Sequence, residues 1–417
     1  MDIDSGIVRL IQPQIEAALL DTPVILINGA RQTGKTTLVR QLRAGGYPAT
    51  YFTLDDFGIL SSITKDPQGF IAGLNGPVII DEVQRAPEIF VAIKRVVDER
   101  RLPGRFLLTG SANVLLLPTL SDSLAGRMEV FTLWPLSQRE IEGAKGSFCD
   151  ALFGDNLQFP TDLLMDREEM IHRVSKGGFP EPHTRASEPR RRAWFKAYIT
   201  TILQRDLRDI SNIAGIREMP NLLGILAARS ANLLNTADIS RASQLPYATL
   251  SRYMAILQTA YLIQMIPSWS NNLGKRLVKS PKLMINDTGL LLDLMGMNEK
   301  RLLEYPTIFG PVLENFVALE LIKDAGFSQA QPRIYHYRSH AGQEVDLVLE
   351  HPSGAVVGIE VKAAASVESK TFDHMRELAS AAGKKFVRGL VLYGGSQVIP
   401  FAENMHAVPI SAIWKTP

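Results

Sequence analysis

At 417 residues the chain exceeds one ordinary hydrophobic core, so two to four modules are expected. Apolar residues at 46% and charged residues at 21% match a folded globular protein and exclude a disordered or polytopic membrane chain. A formal charge of +2 excludes a global basic field, so any nucleic-acid site must be local.

The single cysteine, Cys149, excludes an intramolecular disulfide or a cysteine-based metal cluster and fits a reducing compartment. The opening MDIDSGIVRL lacks the basic and apolar regions of a signal peptide, and no uninterrupted apolar run is long enough to span a bilayer. A cytoplasmic protein without a membrane partner is expected.

Residues 22–28, TPVILIN, form an apolar run rich in β-branched residues and read as a buried parallel strand. It runs into GARQTGKTT, in which Gly29, Ala30, Arg31, Gln32, Thr33, Gly34, Lys35 and Thr36 fit the G-x-x-x-x-G-K-[ST] pattern; LVRQL then reads as a helix start. The glycines let successive backbone N–H groups point at phosphate oxygens, and the helix N-terminus adds partial positive charge. Lys35 is placed to reach the β and γ phosphates, Thr36 to ligate Mg²⁺, and Thr37 to add a contact to an earlier phosphate.

A second strand is expected at ATYFTLDD and a third at PVIIDEVQ, which ends in Asp81 and Glu82. Carboxylates at the C-terminal end of such a strand face the ligand crevice of an open α/β sheet. Asp81 fits a magnesium ligand and Glu82 a base that polarises the attacking water. EIFVAIKRVVDER then spaces Ile89, Ile93, Val96 and Val97 as one apolar helical stripe. GRFLLTGSAN reads as a fourth strand, next to the strand before the glycine-rich loop and ending in Thr109, Ser111 and Asn113; a polar side chain here either orients the hydrolytic water or belongs to a self-satisfied turn of Ser and Asn. MEVFTLWPLS supplies a fifth strand. Before it, Arg127 in LAGR either meets the γ-phosphate of a neighbouring subunit or pairs with a surface carboxylate.

The features GARQTGKTT, VIIDEVQ, LLTGSAN, LAGR and WPLS resemble a bacterial and archaeal family of AAA-type ATPases with a C-terminal domain of unknown function. The resemblance continues in family order through GGFPEP, YITTILQRDL, PKLMINDTGLL, GPVLENFVALEL and EVDLVLE with IEVK, and so covers nearly the whole chain. It implies an α/β fold: a P-loop ATPase core with an additional strand in its parallel sheet, a helical and winged-helix middle, and an α/β restriction-endonuclease-like end. It also implies ATP-dependent homo-oligomerisation, with Arg127 acting in trans. A guanine-specifying N-K-x-D is absent, which favours ATP over GTP. The expected boundaries are residues 1–160 for the ATPase domain, 161–270 for the helical lid and winged helix, and 271–417 for the nuclease-like domain.

Residues 150–170 read as loop. PRRRAWFKAYITTILQRDLRDI then interleaves Arg190, Arg191, Arg192 and Lys196 with Trp194, Phe195 and Tyr198, a mixture that fits either DNA phosphates or a solvated helix face. TADISRASQLPYATLSRYMAILQTAYL reads as a helix-turn-helix, its first helix ending at Leu245 and its second burying Leu250, Met254, Leu257 and Tyr261. The exposed face would carry Thr249, Ser251, Arg252 and Gln258, serving DNA or packing and assembly. Lys275, Arg276, Lys279 and Lys282 follow as a candidate extension of a basic surface.

EVDLVLE and AVVGIEVK, joined by HPSG, predict a hairpin. Period-two geometry puts Glu360 and Lys362 on one face with Asp346 opposite. This resembles the D-(E)xK site of metal-dependent nucleases, with Glu314 as an extra carboxylate; the alternative is a cross-strand ion pair on an exposed sheet face. The expected function is therefore magnesium-dependent ATP hydrolysis acting on DNA. A regulatory switch ATPase controlling protein partners and an ATP-dependent nuclease are the alternatives.

Overall fold

The computed structural model describes residues 7–111, 124–206, 216–276, 278–339 and 341–417. They divide into two units. The first runs to Leu136 and includes Leu257–Tyr261; the second comprises Ser137–Ile256 and Leu262–Pro417.

The first unit is built on five parallel strands: β1 (Val24–Asn28), β2 (Thr50–Thr53), β3 (Val78–Asp81), β4 (Phe106–Thr109) and β5 (Met128–Thr132). Every residue of β1, β3 and β4 is buried, which is why these segments read as unbroken apolar runs. The edge strand β2 is half-exposed. Crossovers pass through α2 (Lys35–Ala44), α3 (Phe57–Lys65), α4 (Pro67–Ala72) and α5 (Ile89–Glu99), while α1 (Gln12–Ala18) precedes the sheet. Asp56 and Asp66 cap α3 and α4 by accepting from the N–H groups of Ile59 and Gly69. Ile89, Ile93 and Val97 of α5 are buried as the apolar spacing predicts, with Val96 at the margin.

The strand order is β2-β3-β4-β1-β5, so β4 lies between the strand that precedes the glycine-rich loop and the strand that ends in Asp81. Because all five strands are parallel, their C-terminal ends share one edge of the sheet. The β1–α2 loop, Asp81–Glu82 and Thr109–Ser111 are gathered there.

Two helices, Thr236–Ser243 and Tyr247–Thr259, stand where the sequence suggests a helix-turn-helix, the end of the second being counted with the first unit. The first helix ends two residues earlier than the sequence suggests, because Gln244 turns left-handed at φ 57° ahead of Pro246. Leu250, Met254, Leu257 and Tyr261 are all buried. An antiparallel pair follows, β6 (Ile263–Ile266) with β7 (Lys282–Ile285).

The chain ends in a six-stranded mixed sheet of order β12-β13-β11-β10-β9-β8. Its strands are β8 (Arg333–Arg338), β9 (Glu344–Glu350), β10 (Val356–Lys362), β11 (Phe386–Tyr393), β12 (Ile399–Ala402) and β13 (Met405–Pro409). The expected hairpin is the antiparallel pair β9–β10, and β10, β11 and β13 are mutually parallel. The helix Asp373–Ala382 lies close against the sheet because Gly358 and Gly389 leave room for Met375; a Cβ at either glycine would come within 2.3–2.4 Å of that side chain.

Residues 137–160 fall with the second unit, and a helix spans Phe148–Phe153 where the sequence suggests loop. The cause is a pair of buried acids on the 22-residue helix Pro306–Phe327. Glu320 accepts from the backbone of Gln138, and Asp324 accepts from Ser147 Oγ and from the N–H groups of Phe148 and Cys149. Among the described residues no helix is long and apolar enough to cross a membrane.

Candidate functional site: a nucleotide cradle and an acidic cluster

In the β1–α2 loop, Gly29 and Gly34 adopt φ 140° and 97°, and Gln32 is left-handed at φ 62°. A Cβ on Gly29 would lie 2.3 Å from the carbonyl oxygen of Leu133, so both conformation and space require glycine. Thr33 is fully buried and bonds back to the Ala30 carbonyl at 3.0 Å, while Arg9 donates to the Thr33 carbonyl at 2.8 Å and to that of Trp134 at 2.7 Å. Arg9 thus fastens the loop from outside the motif.

The Lys35 ammonium is buried inside the loop and donates to the carbonyls of Gly29 (3.0 Å) and Ala30 (2.7 Å). Thr36, in the first turn of α2, donates to Asp81 Oδ2 at 2.8 Å. Tyr51 donates to the same oxygen at 2.7 Å, and Thr109 donates to Oδ1. Burial, reinforced by the Asp81 carboxylate, pushes the Tyr51 hydroxyl up to about 12 and keeps it a donor. Neighbouring ligands of an octahedral Mg²⁺ at about 2.1 Å stand roughly 3 Å apart. The Thr36–Asp81 oxygen separation meets that spacing, and both are the hard oxygen donors magnesium takes.

Glu82 is left-handed at φ 64°, its N–H bonded to Thr109 Oγ1 at 3.1 Å. Gln84 donates from one amide nitrogen to Glu82 Oε2 and to Ser111 Oγ, the latter at 2.8 Å, and accepts from Ser111 N at 3.2 Å. Ser111 is therefore linked to Glu82 through Gln84. Asn113 lies outside the described residues. Arg127 is paired with Asp98 and donates to the Ala125 carbonyl at 3.1 Å, the surface-carboxylate alternative, within this chain.

In the second unit, β9 and β10 bring Asp346 and Glu360 near each other: the ladder pairs Gly358 with Val348 and Ile359 with Leu347, and just beyond it Asp346 Oδ2 accepts from Val361 N at 2.9 Å. Lys362 donates to Glu360 Oε1 at 2.7 Å. Glu314 joins them from the helix Pro306–Phe327, but it is held by a group that the sequence places on a basic surface. Lys282 of β7 is 1% exposed, and its ammonium lies 2.7 Å from Glu314, 2.9 Å from Glu344 and 3.3 Å from Asp346. Burial and the Asp346 charge push Glu314 and Glu360 above the usual carboxylate range, against the opposing pull of Lys282 and Lys362 respectively. For Lys282 burial acts downward, but the charges of Asp346, Glu314 and Glu344 outweigh it and the net shift is upward. Glu360 and Lys282 are buried on this face, while the Lys362 side chain at its margin is 42% exposed.

The basic candidates separate. Arg190, Arg192, Lys196 and Arg252 are exposed. Arg191 is 6% exposed and pairs with Glu299 at 2.8 Å. Arg276 makes a two-pronged pair with Glu350 (2.5 and 2.7 Å) and lies over the rings of Trp269 and Tyr335. Lys279 donates to the Arg338 carbonyl. The Lys275 side chain lies outside what the structure describes. Arg191, Arg276 and Lys282 are thus internal, because each has a carboxylate supplied from a distant stretch of sequence.

Sequence reasoning missed Arg9, Tyr51, Gln84 and Glu344 as site groups. The signal for Gln84 was its place inside VIIDEVQ, two residues beyond Glu82; Arg9, Tyr51 and Glu344 carry no local signature.

Residues 21–142 match the family model of an AAA domain, so the chain carries an AAA-type ATPase domain with a nucleotide-binding loop. Residues 167–301 and 309–413 match two models described as domains of unknown function, DUF8612 and DUF4143. Two similar proteins, both described as uncharacterized, come from Mycobacterium tuberculosis and Mycobacterium bovis. Each is 32% identical over 405 residues, spanning 97% of this chain and 83% of the relative. Among solved structures, a Walker-type ATPase of Pyrococcus abyssi aligns at 16% identity and a TM-score of 0.42, covering 68% of this chain and 94% of its own.

Proposed function

The chain belongs to the same family as these two mycobacterial proteins, and on that premise we propose that it is a cytoplasmic, magnesium-dependent ATP hydrolase whose nucleotide state rearranges its helix-turn-helix and mixed-sheet parts. The observation that carries the hydrolase reading is the meeting of Thr36, Asp81 and Thr109 beside Glu82, at the shared C-terminal edge of β1, β4 and β3.

Lys35 gives up the Gly29 and Ala30 carbonyls and moves to the β and γ phosphates, while the loop N–H groups and the start of α2 receive the rest of the chain of phosphates. Thr36 and Asp81 would hold Mg²⁺, which when bound offsets phosphate charge in the transition state. Glu82 orients and takes a proton from the attacking water, with Ser111 and Gln84 fixing its carboxylate. Arg127 would leave Asp98 to meet the γ-phosphate of a neighbouring copy in a homo-oligomer.

For the target, DNA is carried by the exposed Arg190, Arg192 and Arg252 and by the helix-turn-helix followed by its antiparallel pair, which fits a winged helix. A switch acting on protein partners is the second reading, favoured by the internal pairing of Arg191, Arg276 and Lys282. One experiment separates them: phosphate release measured with and without duplex, single-stranded and branched DNA across a salt series. Stimulation that falls steeply with salt supports DNA. Unchanged turnover and no binding would leave the switch and remove the DNA target. Turnover that survives Glu82→Gln would overturn the assignment of the base.

A further inference from the structure

The acidic cluster of the mixed sheet has an occupant. Glu314 comes from the long helix, Glu344 and Asp346 from β9, Glu360 and Lys362 from β10, and Lys282 enters from β7, which belongs to the two-stranded sheet after the helix-turn-helix. Its ammonium is within 4 Å of three carboxylates, the position a cation bridging them would take.

Lys282 is not a loose surface side chain that has fallen inward. Its backbone pairs with Ile266 on one side and forms a bridge to Leu233 on the other. The preceding segment is fastened to β8: Ser280 O accepts from His336 Nε2 at 3.0 Å when that nitrogen carries the proton, and Lys279 donates to Arg338 O at 2.7 Å. A rigid strand therefore delivers the charge. Among the described residues no group of three or more His, Cys, Asp or Glu side chains is arranged to hold a metal ion. The ammonium contacts of 2.7–3.3 Å are longer than the 2.0–2.6 Å oxygen distances of magnesium or calcium, so a metal in the same place would need the carboxylates drawn inward.

We propose that Lys282 is the resident cation of this cluster, so that the mixed sheet as folded takes no divalent metal there and does not cleave nucleic acid through these residues. Glu360 Oε2 is buried without a hydrogen-bond partner, so the pocket retains acceptor capacity that a metal could use once the ammonium is gone. The inference stands apart from the ATPase reading, since none of these residues belongs to the nucleotide cradle.

The test is Mn²⁺ binding, followed by electron paramagnetic resonance, on nucleotide-free full-length protein in an Asp81→Asn background that removes the nucleotide-site carboxylate. The background protein is expected to bind no Mn²⁺ that Asp346→Asn abolishes. Adding Lys282→Met, which keeps an unbranched stem one atom shorter and removes the charge, is expected to create one Mn²⁺ site that is lost again with Asp346→Asn. Mn²⁺ bound by the Lys282 protein at a site lost with Asp346→Asn overturns the proposal. So does a folded Lys282→Met protein that gains no site. If Lys282→Met does not fold, the Asp346-dependence of binding in the Lys282 protein decides alone.

Discussion

The Thr36 hydroxyl donates to Oδ2 of Asp81 over 2.8 Å, joining the first turn of α2 to the end of β3. Lys35 donates to the carbonyls of Gly29 and Ala30, so a phosphate that takes its ammonium must replace those contacts. Thr36→Val keeps the shape and removes the hydroxyl. A hydrogen bond to a charged group is worth about 1.5–3 kcal/mol, so the magnesium concentration for half-maximal hydrolysis should rise roughly tenfold to a hundredfold. Titration of phosphate release against Mg²⁺ checks this; an unchanged midpoint removes Thr36 from the metal site.

Glu82 and Ser111 both bond to Gln84, so the carboxylate and the end of β4 share one amide. General-base catalysis contributes about 10²–10⁴-fold, and Glu82→Gln should lose turnover on that order while nucleotide affinity changes little. Gln84→Ala should give a smaller loss, because it frees the carboxylate without deleting it. Steady-state hydrolysis beside equilibrium binding of a fluorescent nucleotide separates the two effects. A comparable loss of affinity in Glu82→Gln would point to a structural role instead.

Gly29→Ala tests the cradle's backbone. The substitution demands φ 140° from an alanine and sets its Cβ 2.3 Å from Leu133 O. Strain of this kind costs on the order of 1–3 kcal/mol where the surroundings do not yield. The expected result is a lower melting temperature and loss of nucleotide binding together. Binding retained at the parent affinity would show that the loop can relax.

The ATPase core was legible because its signals are local: β1, β3 and β4 are buried on both faces and so are written as continuous apolar runs, and the loop motif directly follows β1. That β4 separates β1 from β3 is set by pairing between segments, which no local pattern encodes. In the second unit the alternation in EVDLVLE and AVVGIEVK was enough to place the antiparallel pair β9–β10, at whose end Asp346 accepts from the backbone N–H next to Glu360. Nothing near Lys282 distinguishes it from Lys279, yet one is buried among three carboxylates and the other bonds a carbonyl at the surface. The acids that bury it come from β9 and from the helix Pro306–Phe327, tens of residues away in the sequence. Ser147 and Asp324 make the same point: a buried carboxylate far downstream moved the edge of the first unit to Leu136.

His183 sets a pH limit. Burial first, then the nearby charges of Lys176, Lys323 and Arg191, lower its pKa from the ordinary 6.5 to about 4, although its contact with the Gly177 carbonyl pulls the other way. The unfolded chain therefore binds more protons than the folded one between these two values. The stabilisation is full above pH 6.5 and falls away as pH drops through the window toward 4. A shift of this size corresponds to roughly 3–4 kcal/mol once the whole window has been crossed. Melting curves at pH 7.0, 5.5 and 4.5 should show a shallower decline for His183→Gln than for the parent. Equal slopes would mean that His183 does not contribute to acid sensitivity.

Adjacent arginines on one helix make the last comparison. Arg191 is buried against Glu299, which also accepts from Ser175 Oγ at 2.6 Å, whereas Arg190 and Arg192 are exposed. Removing one partner of a buried pair strands the other charge at a cost of about 3–5 kcal/mol, and the partial exposure of Glu299 reduces this to roughly 1–3 kcal/mol for Arg191→Ala. Arg190→Ala with Arg192→Ala should change stability by less than about 0.5 kcal/mol each, as exposed substitutions do. If the helix serves DNA, the exposed pair should instead flatten the salt dependence of binding, by about one unit of slope for each phosphate no longer neutralised. Denaturant unfolding and DNA titration at several salt concentrations measure the two axes independently. A salt slope lowered by Arg191→Ala at unchanged stability would reverse the assignment of these neighbours.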